Sequence, residues 1–265
     1  MKSSAISLVL TLLVLSPPAY AGVVMDLVTS DATGQENSRT RIFAQGERVR
    51  MDQNDSQVSM VFLGDEFLVL DHEKKSYVVM DEAMLEQVNT QISAAMEQME
   101  AQLASMPPAQ RAMMEDMMKG KMQGLMGASN DPSPKPRVEA NGSGEWQSKP
   151  CNKFSVFEGE EKVQDICAAS LEEIEGGEDL MQAFRSMAEF ITEMTESMPF
   201  GSGDDGLNPG ELMDQIDGFP VHTVEYTNGV VSGEVLLESV VEQDVDEGLF
   251  SAPADYQRQE ILQGR

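Results

Sequence analysis

Six short segments rich in Val, Ile, Leu and Phe follow one another between Gly22 and Asp81: GVVMDLVTS, SRTRIFAQG, RVRMDQ, QVSMVFLG, EFLVLDHE and SYVVMD. The breaks between them fall at Thr33-Gly34, Gly46-Glu47, Asn54-Asp55, Gly64-Asp65 and Glu73-Lys74-Lys75, residue types that turn a chain tightly. A parallel neighbour needs a crossover of a dozen or more residues, which none of these breaks can supply. The segments are therefore expected to run up and down as an antiparallel meander. RTRIF and RVRM alternate polar with apolar, which predicts a sheet with one wet and one covered face.

The period changes at Asp81. Leu85, Val88, Ile92, Met96, Met99, Leu103 and Met106 recur every three or four residues, a helical stripe. Met106-Pro107-Pro108 ends that helix, and Pro108 can open the next one. There Met113, Met114, Met117, Met118, Met122, Leu125 and Met126 make a second stripe, so residues 81–127 read as a helical hairpin. A Pro/Ser-rich connector, GASNDPSPKPR, leads back to the strand-like RVEANGSGEWQS, in which Gly142-Ser143-Gly144 reads as a flexible turn. Ser170-Leu171-Glu172-Glu173 has capping-box spacing and predicts a helix over 170–199, interrupted at Gly176-Gly177. Its apolar face carries Leu180, Phe184, Met187, Ile191, Met194 and Met198. GSGDDGLNPG (Gly201 to Gly210) reads as an exposed loop. PVHTVEYTN and VVSGEVLLESVVEQDV then flank Asn228-Gly229, a strong hairpin signal. The order of elements predicts an α+β fold: one antiparallel sheet wrapped around or beneath amphipathic helices inserted between its strands, as a single domain over 22–265.

Residues 1–21 have the form of a cleaved signal peptide. Lys2 precedes the apolar run AISLVLTLLVL, Ser16-Pro17-Pro18 breaks it, and Ala19-Tyr20-Ala21 has the small-x-small pattern of a cleavage site. A helix of that run spans about 16 Å against a hydrocarbon layer of ~30 Å, so no stable membrane anchor is expected. The chain is expected to be periplasmic or otherwise extracytoplasmic. A net charge of −28 disfavours nucleic acid and anionic lipid surfaces as partners. Cys151 and Cys167 bound CNKFSVFEGEEKVQDIC; folding it about Gly159 sets one opposite the other as a cross-strand disulfide. Such a closure contributes roughly 3 kcal/mol in the chain-entropy model.

No catalytic residue and no cofactor is expected. His72 and His222 each sit alone in strand-like segments, and no zinc-protease, phosphate-loop or nucleophile-elbow pattern occurs. Asp204-Asp205-Gly206-Leu207-Asn208 lacks the alternate oxygen ligands of a calcium loop. The methionines allow three readings. They can pack a core, or form an adaptable apolar surface for a lipid or a partner. Met96-x-x-Met99 or Met114-x-x-Met117 could also offer thioethers to Cu(I), although no His or Cys lies between Lys74 and Lys149 to complete a mixed site. The candidate ligand or partner surface comprises Met96, Met99, Met113, Met114, Met117, Met118, Met122, Phe184, Met187, Ile191 and Met194.

The signal peptide, the early strands, SYVVMDE, MPPAQRAMMEDMM and the C-x(15)-C hairpin together resemble the exported bacterial family named domain of unknown function 4412. GLFSAPADYQ (Gly248 to Gln257) resembles the end of the wider periplasmic lipoprotein-carrier group, where F-x-x-P-x-x-Y closes the last strand. The resemblance implies a half-barrel whose concave apolar face is covered by helices. It further implies a hydrophobic ligand, a lipid or an acylated protein. A periplasmic scaffold that binds a protein partner through the Met-rich hairpin is the alternative.

Overall fold

The computed structural model describes residues 21–53, 57–104, 107, 136–197 and 209–260. The first meander is β1 (Ala21–Asp31), β2 (Glu36–Gln45), β3 (Arg48–Gln53), β4 (Val58–Phe62), β5 (Phe67–Asp71) and β6 (Ser76–Met80), followed by α1 (Glu82–Ala104). The second is β7 (Arg137–Trp146), β8 (Lys149–Glu158), β9 (Glu161–Ala169), β10 (Phe219–Thr227) and β11 (Val230–Asp244). It is interrupted after β9 by α2 (Gly177–Glu196) and the short α3 (Pro209–Gln215). A two-residue strand, β12 (Gln257–Arg258), ends the order. The twelve described strands form one open sheet, β12-β6-β5-β4-β3-β2-β1-β11-β10-β9-β8-β7. Each described pairing is antiparallel except β12 on β6. The α+β class is as expected, and β1 against β11 joins the two meanders.

The sheet curls. Trp146, at the far end of β7, donates from Nε1 to the carbonyl of Leu237 on β11 at 2.8 Å. Four strand spacings separate β7 from β11, about 19 Å if the sheet were flat, more than an indole can reach. Trp146, Leu237, Val221, Cys151, Cys167, Val23, Met25, Ile42, Val49, Phe62 and Phe67 share one core cluster with Leu180, Met181 and Ala183 of α2. This is the concave side. On the convex side the C-terminal segment covers β4–β6 with Val245, Phe250 and Tyr256, while Leu212 and Ile216 cover β8 and β9.

The structure departs from expectation at several points. The capping box at Ser170 forms only a 3-10 turn, Leu171–Glu173, with no side-chain cap bond; α2 starts after Gly176. Gly176 adopts φ 63°, and a Cβ there would lie 2.3 Å from Val23 Cγ2, so glycine lets α2 begin directly on β1. Gly142-Ser143-Gly144 is no turn. It lies inside β7 beside a bulge, and a Cβ on Gly144 would press on both disulfide sulfurs. Pro209-Gly210 opens α3 instead of ending a loop, a placement that suits proline's missing N–H. Cys151 and Cys167 are bonded, with Cα atoms 5.6 Å apart, but a bulge in β9, where Val163 is the extra residue, sets Cys151 beside Ala169, so the bridge is diagonal. The wet face is only partly wet: Arg50 is 9% exposed. Of the hairpin expected over 81–127, α1 is described; the second methionine stripe, most of the Pro/Ser connector, the 204–208 acidic loop and the signal segment before Ala21 lie outside the described residues. Asn228 and Gly229 both have positive φ, as their hairpin turn requires.

Candidate functional site

Strand register arranges the concave face into rows of paired residues. The first row runs Val23–Ala44–Val49–Phe62–Phe67–Met80 across β1 to β6. α2 lies on it: the Phe190 ring is 5.6 Å from those of Phe62 and Phe67, which are 5.0 Å from each other. Phe184, Met187 and Ile191, expected at the site, pack against the same core and are half-buried; Met194, one turn further on, is also half-buried.

The second row, two residues further along each strand, runs Met25–Ile42–Met51–Met60–Val69–Val78. Every member is apolar, yet burial fails along it. Met25 is 1% exposed, Ile42 3%, and Met60 40%. Met51, Val69 and Val78 are half-buried. From Met51 to Val78 this open strip crosses three strand spacings, about 14 Å. The next row on its outer side contains Val58, 40% exposed, and then Asp71 and Ser76. The Lys74 ammonium and the Lys74 backbone N–H hold the Asp71 carboxyl below the usual carboxylate range.

α1 borders this region. Asp81 caps it, accepting from Met84 N at 2.8 Å, and Leu85 is buried at its root. Asn89 Nδ2 donates to the carbonyl of Ser197, just past α2, at 2.8 Å. A cleft of about 690 Å³ lies there, bounded by Leu85, Glu86, Asn89, Ser93, Ala94 and Ser197 among others. Farther out the apolar stripe emerges: Met96 is 37% and Met99 36% exposed. Met113, Met114, Met117, Met118 and Met122 lie outside the described residues. The structure therefore brings Phe184, Met187 and Ile191 onto the concave core and leaves Met96 and Met99 outward-facing on α1. Met51, Met60, Val69, Val78 and Phe190 were missed. Alternation in QVSMVF does put Met60 and Phe62 on one face, but only the path of α2 decides which of them is covered.

A serine–histidine pair does occur, on the convex side. Ser59 Oγ lies 2.7 Å from His72 Nε2, and His72 Nδ1 lies 2.6 Å from Tyr256 Oη. Arg50 donates to Ser59 Oγ at 3.1 Å and to the Leu249 carbonyl at 2.9 Å. Ser59 is 2% exposed, its oxygen already accepts from a guanidinium, and the imidazole is oriented by a phenol. This chemistry fastens the C-terminal segment to β3–β5 and offers no route for a substrate to the hydroxyl. Among the described residues no group of three or more His, Cys, Asp or Glu converges as a metal-ligand set.

No family model matches the chain, the domain-of-unknown-function family included, and no curated protein matches it. Among solved structures, an uncharacterized conserved protein from Thermus thermophilus aligns over 91% of this chain and 90% of its own at 8% identity, TM-score 0.45. The MucA/MucB complex of Pseudomonas aeruginosa aligns over 90% of this chain and 58% of that one at 10% identity, TM-score 0.40. A domain described as an outer membrane lipoprotein-sorting protein, from Vibrio parahaemolyticus, aligns over 88% and 91% at 8% identity, TM-score 0.27. These are loose likenesses of architecture.

Proposed function

We propose that this chain is an exported, non-enzymatic binding protein that holds an apolar ligand, an acyl chain of a lipid or of an acylated protein, on the concave face beside α2. One observation carries the reading. The second register row stays apolar from Met25 to Val78 while exposure rises from 1% at Met25 to 40% at Met60. Apolar surface left in water forgoes roughly 25 cal/mol per Å², so a continuous strip of it beside a packed helix is a surface kept for something else to cover. Methionine suits that role because its unbranched, polarizable side chain adapts to chains of varied shape. The disulfide accords with an oxidising compartment outside the cytoplasm. A protein partner is the second reading, favoured by Met96 and Met99, which one face of α1 presents outward a turn apart.

The test is titration with palmitoyl-lysophosphatidylcholine, whose head group carries no net charge. The wild-type chain is expected to bind it. Met60→Glu places a carboxylate in the strip at a position where solvent already reaches it, so the fold persists. Affinity is expected to fall by at least about tenfold, the factor that corresponds to roughly 1.4 kcal/mol. Val230→Glu, at the first residue of β11 and 68% exposed, is the control and is expected to change nothing. Equal binding by wild type and Met60→Glu would remove the strip from the proposal.

A further inference from the structure

The strip is lined by sulfur, and the sulfur is graded in access. Both cysteines are consumed in one disulfide, and among the described residues no free thiol remains. The oxidisable sulfurs described are therefore thioethers. Met51 and Met60 are directly paired across β3 and β4, which places their Cβ atoms about 5 Å apart on one face. Met60 is 40% exposed, whereas Met25, in the same row two strands beyond Met51, is 1% exposed. Met181, on α2 over the same core, is 6% exposed. One surface thus carries an accessible thioether, a half-buried neighbour and two shielded ones.

We infer that Met60, with Met51 behind it, is an oxidative modification site, and that conversion to the sulfoxide releases the apolar ligand. The inference rests on the ligand reading above for its consequence, and on exposure alone for its chemistry. The co-reactant is a peroxide. A lone pair on Sδ attacks one peroxide oxygen, the S–O bond forms and the O–O bond breaks, and the departing hydroxide takes up the proton that the sulfur-bound oxygen gives up through solvent. Sulfur is oxidised by two electrons and the peroxide is reduced by two, giving water from hydrogen peroxide. The product is neutral and strongly polar, a hydrogen-bond acceptor with no donor in an apolar row. An acyl chain lying on it would bury that oxygen unpaired, which weakens binding roughly tenfold per sulfoxide.

Graded hydrogen peroxide treatment tests this, with peptide mass mapping and Nile red fluorescence read in parallel. A one-oxygen adduct on the Met60 peptide is expected well before one on the Met25 peptide, and Nile red binding is expected to fall in step with it. Measured against its own untreated binding of Nile red, the double variant Met51→Leu/Met60→Leu, which nearly conserves volume, should lose none under peroxide doses that abolish binding in wild type. Equal adduct rates on the Met25 and Met60 peptides overturn the modification site. Full oxidation of Met60 without loss of Nile red overturns its consequence, as does a double variant just as peroxide-sensitive as wild type. Wild type that never binds Nile red overturns the ligand reading and with it the consequence, while the adduct map still decides the modification site.

Discussion

Asp165 lies on the same face of β9 as Cys167, at the polar end of the concavity. Ser155 Oγ donates to it at 2.6 Å, Tyr226 Oη at 2.8 Å and Lys162 Nζ at 2.6 Å, while Asn141 donates to Ser155 from β7 at 3.1 Å. Burial resists ionisation of this carboxyl, yet the Lys162 ammonium and the two hydroxyls outweigh it and hold the group below the usual carboxylate range. A depressed folded-state pKa means that the stabilisation is whole above the unfolded value of 3.8 and is lost as pH falls through the lower folded value. Asp165→Asn is therefore expected to lower stability at neutral pH and to show a shallower loss below about pH 4 than wild type, measured by urea unfolding across that range. Little of this was legible beforehand. Forty-six acids offer too many pairings for any one to be singled out, and Asp165 meets Tyr226 only because β10 lies beside β9. Met60 is similar: its face follows from alternation, its exposure from where a helix far along the chain happens to cross.

α2 illustrates which parts of an element a sequence can specify. The stripe through Leu180, Phe184, Met187 and Ile191 fixed its buried face, because helical period alone decides which side chains share a side. Its start was misplaced, because capping-box spacing at Ser170 is a local signal and the tertiary contact between Gly176 and Val23 overrides it. That contact makes a sharp prediction about the element. Gly176→Ala suffers twice, from a left-handed φ of 63° and from a Cβ 2.3 Å from Val23 Cγ2. Gly34→Ala suffers only the first, since φ is 80° there and no atom lies within 4 Å of the added Cβ. The backbone cost in both is about 1–2 kcal/mol. Gly176→Ala is expected to be the less stable of the two in chemical denaturation by a further ~1–3 kcal/mol, as strain typical of overpacking. Because α2 forms one wall of the strip, this variant should also bind lysophosphatidylcholine less well. Equal stability of the two variants would show that α2 seats on β1 without the close approach.

At the scale of the whole molecule, two meanders could have remained two sheets. The first was readable from its turns, since short breaks exclude crossovers whatever the rest of the chain does. Of the second, only the β8–β9 and β10–β11 hairpins were, because two helices separate β9 from β10. Their junction was not readable, because pairing between β1 and β11 is a long-range choice that no local signal encodes. The junction is extensive: β1 pairs with β11 along its full length and with β2 on its other edge. The convex side adds a strap, since Tyr256 binds His72 and β12 pairs with β6, carrying the chain from β11 back across the first meander. Trp146 closes the other side by its bond to Leu237. We therefore propose that residues 22–265 unfold as one unit, and the protein supplies its own reporter. Trp146 is the single tryptophan, 5% exposed and remote from the first meander in strand order. In urea, its fluorescence red shift is expected to coincide with loss of far-UV circular dichroism, which averages over both meanders. Trp146→Phe removes the indole donor and should lower the midpoint by an amount equivalent to about 1 kcal/mol while leaving a single transition. A wild-type Trp146 transition at distinctly lower urea than the dichroism would mean that the curled second meander opens by itself. The concavity would then be a separately unfolding half, and a ligand on the strip beside α2 should leave the Trp146 midpoint unchanged instead of raising it.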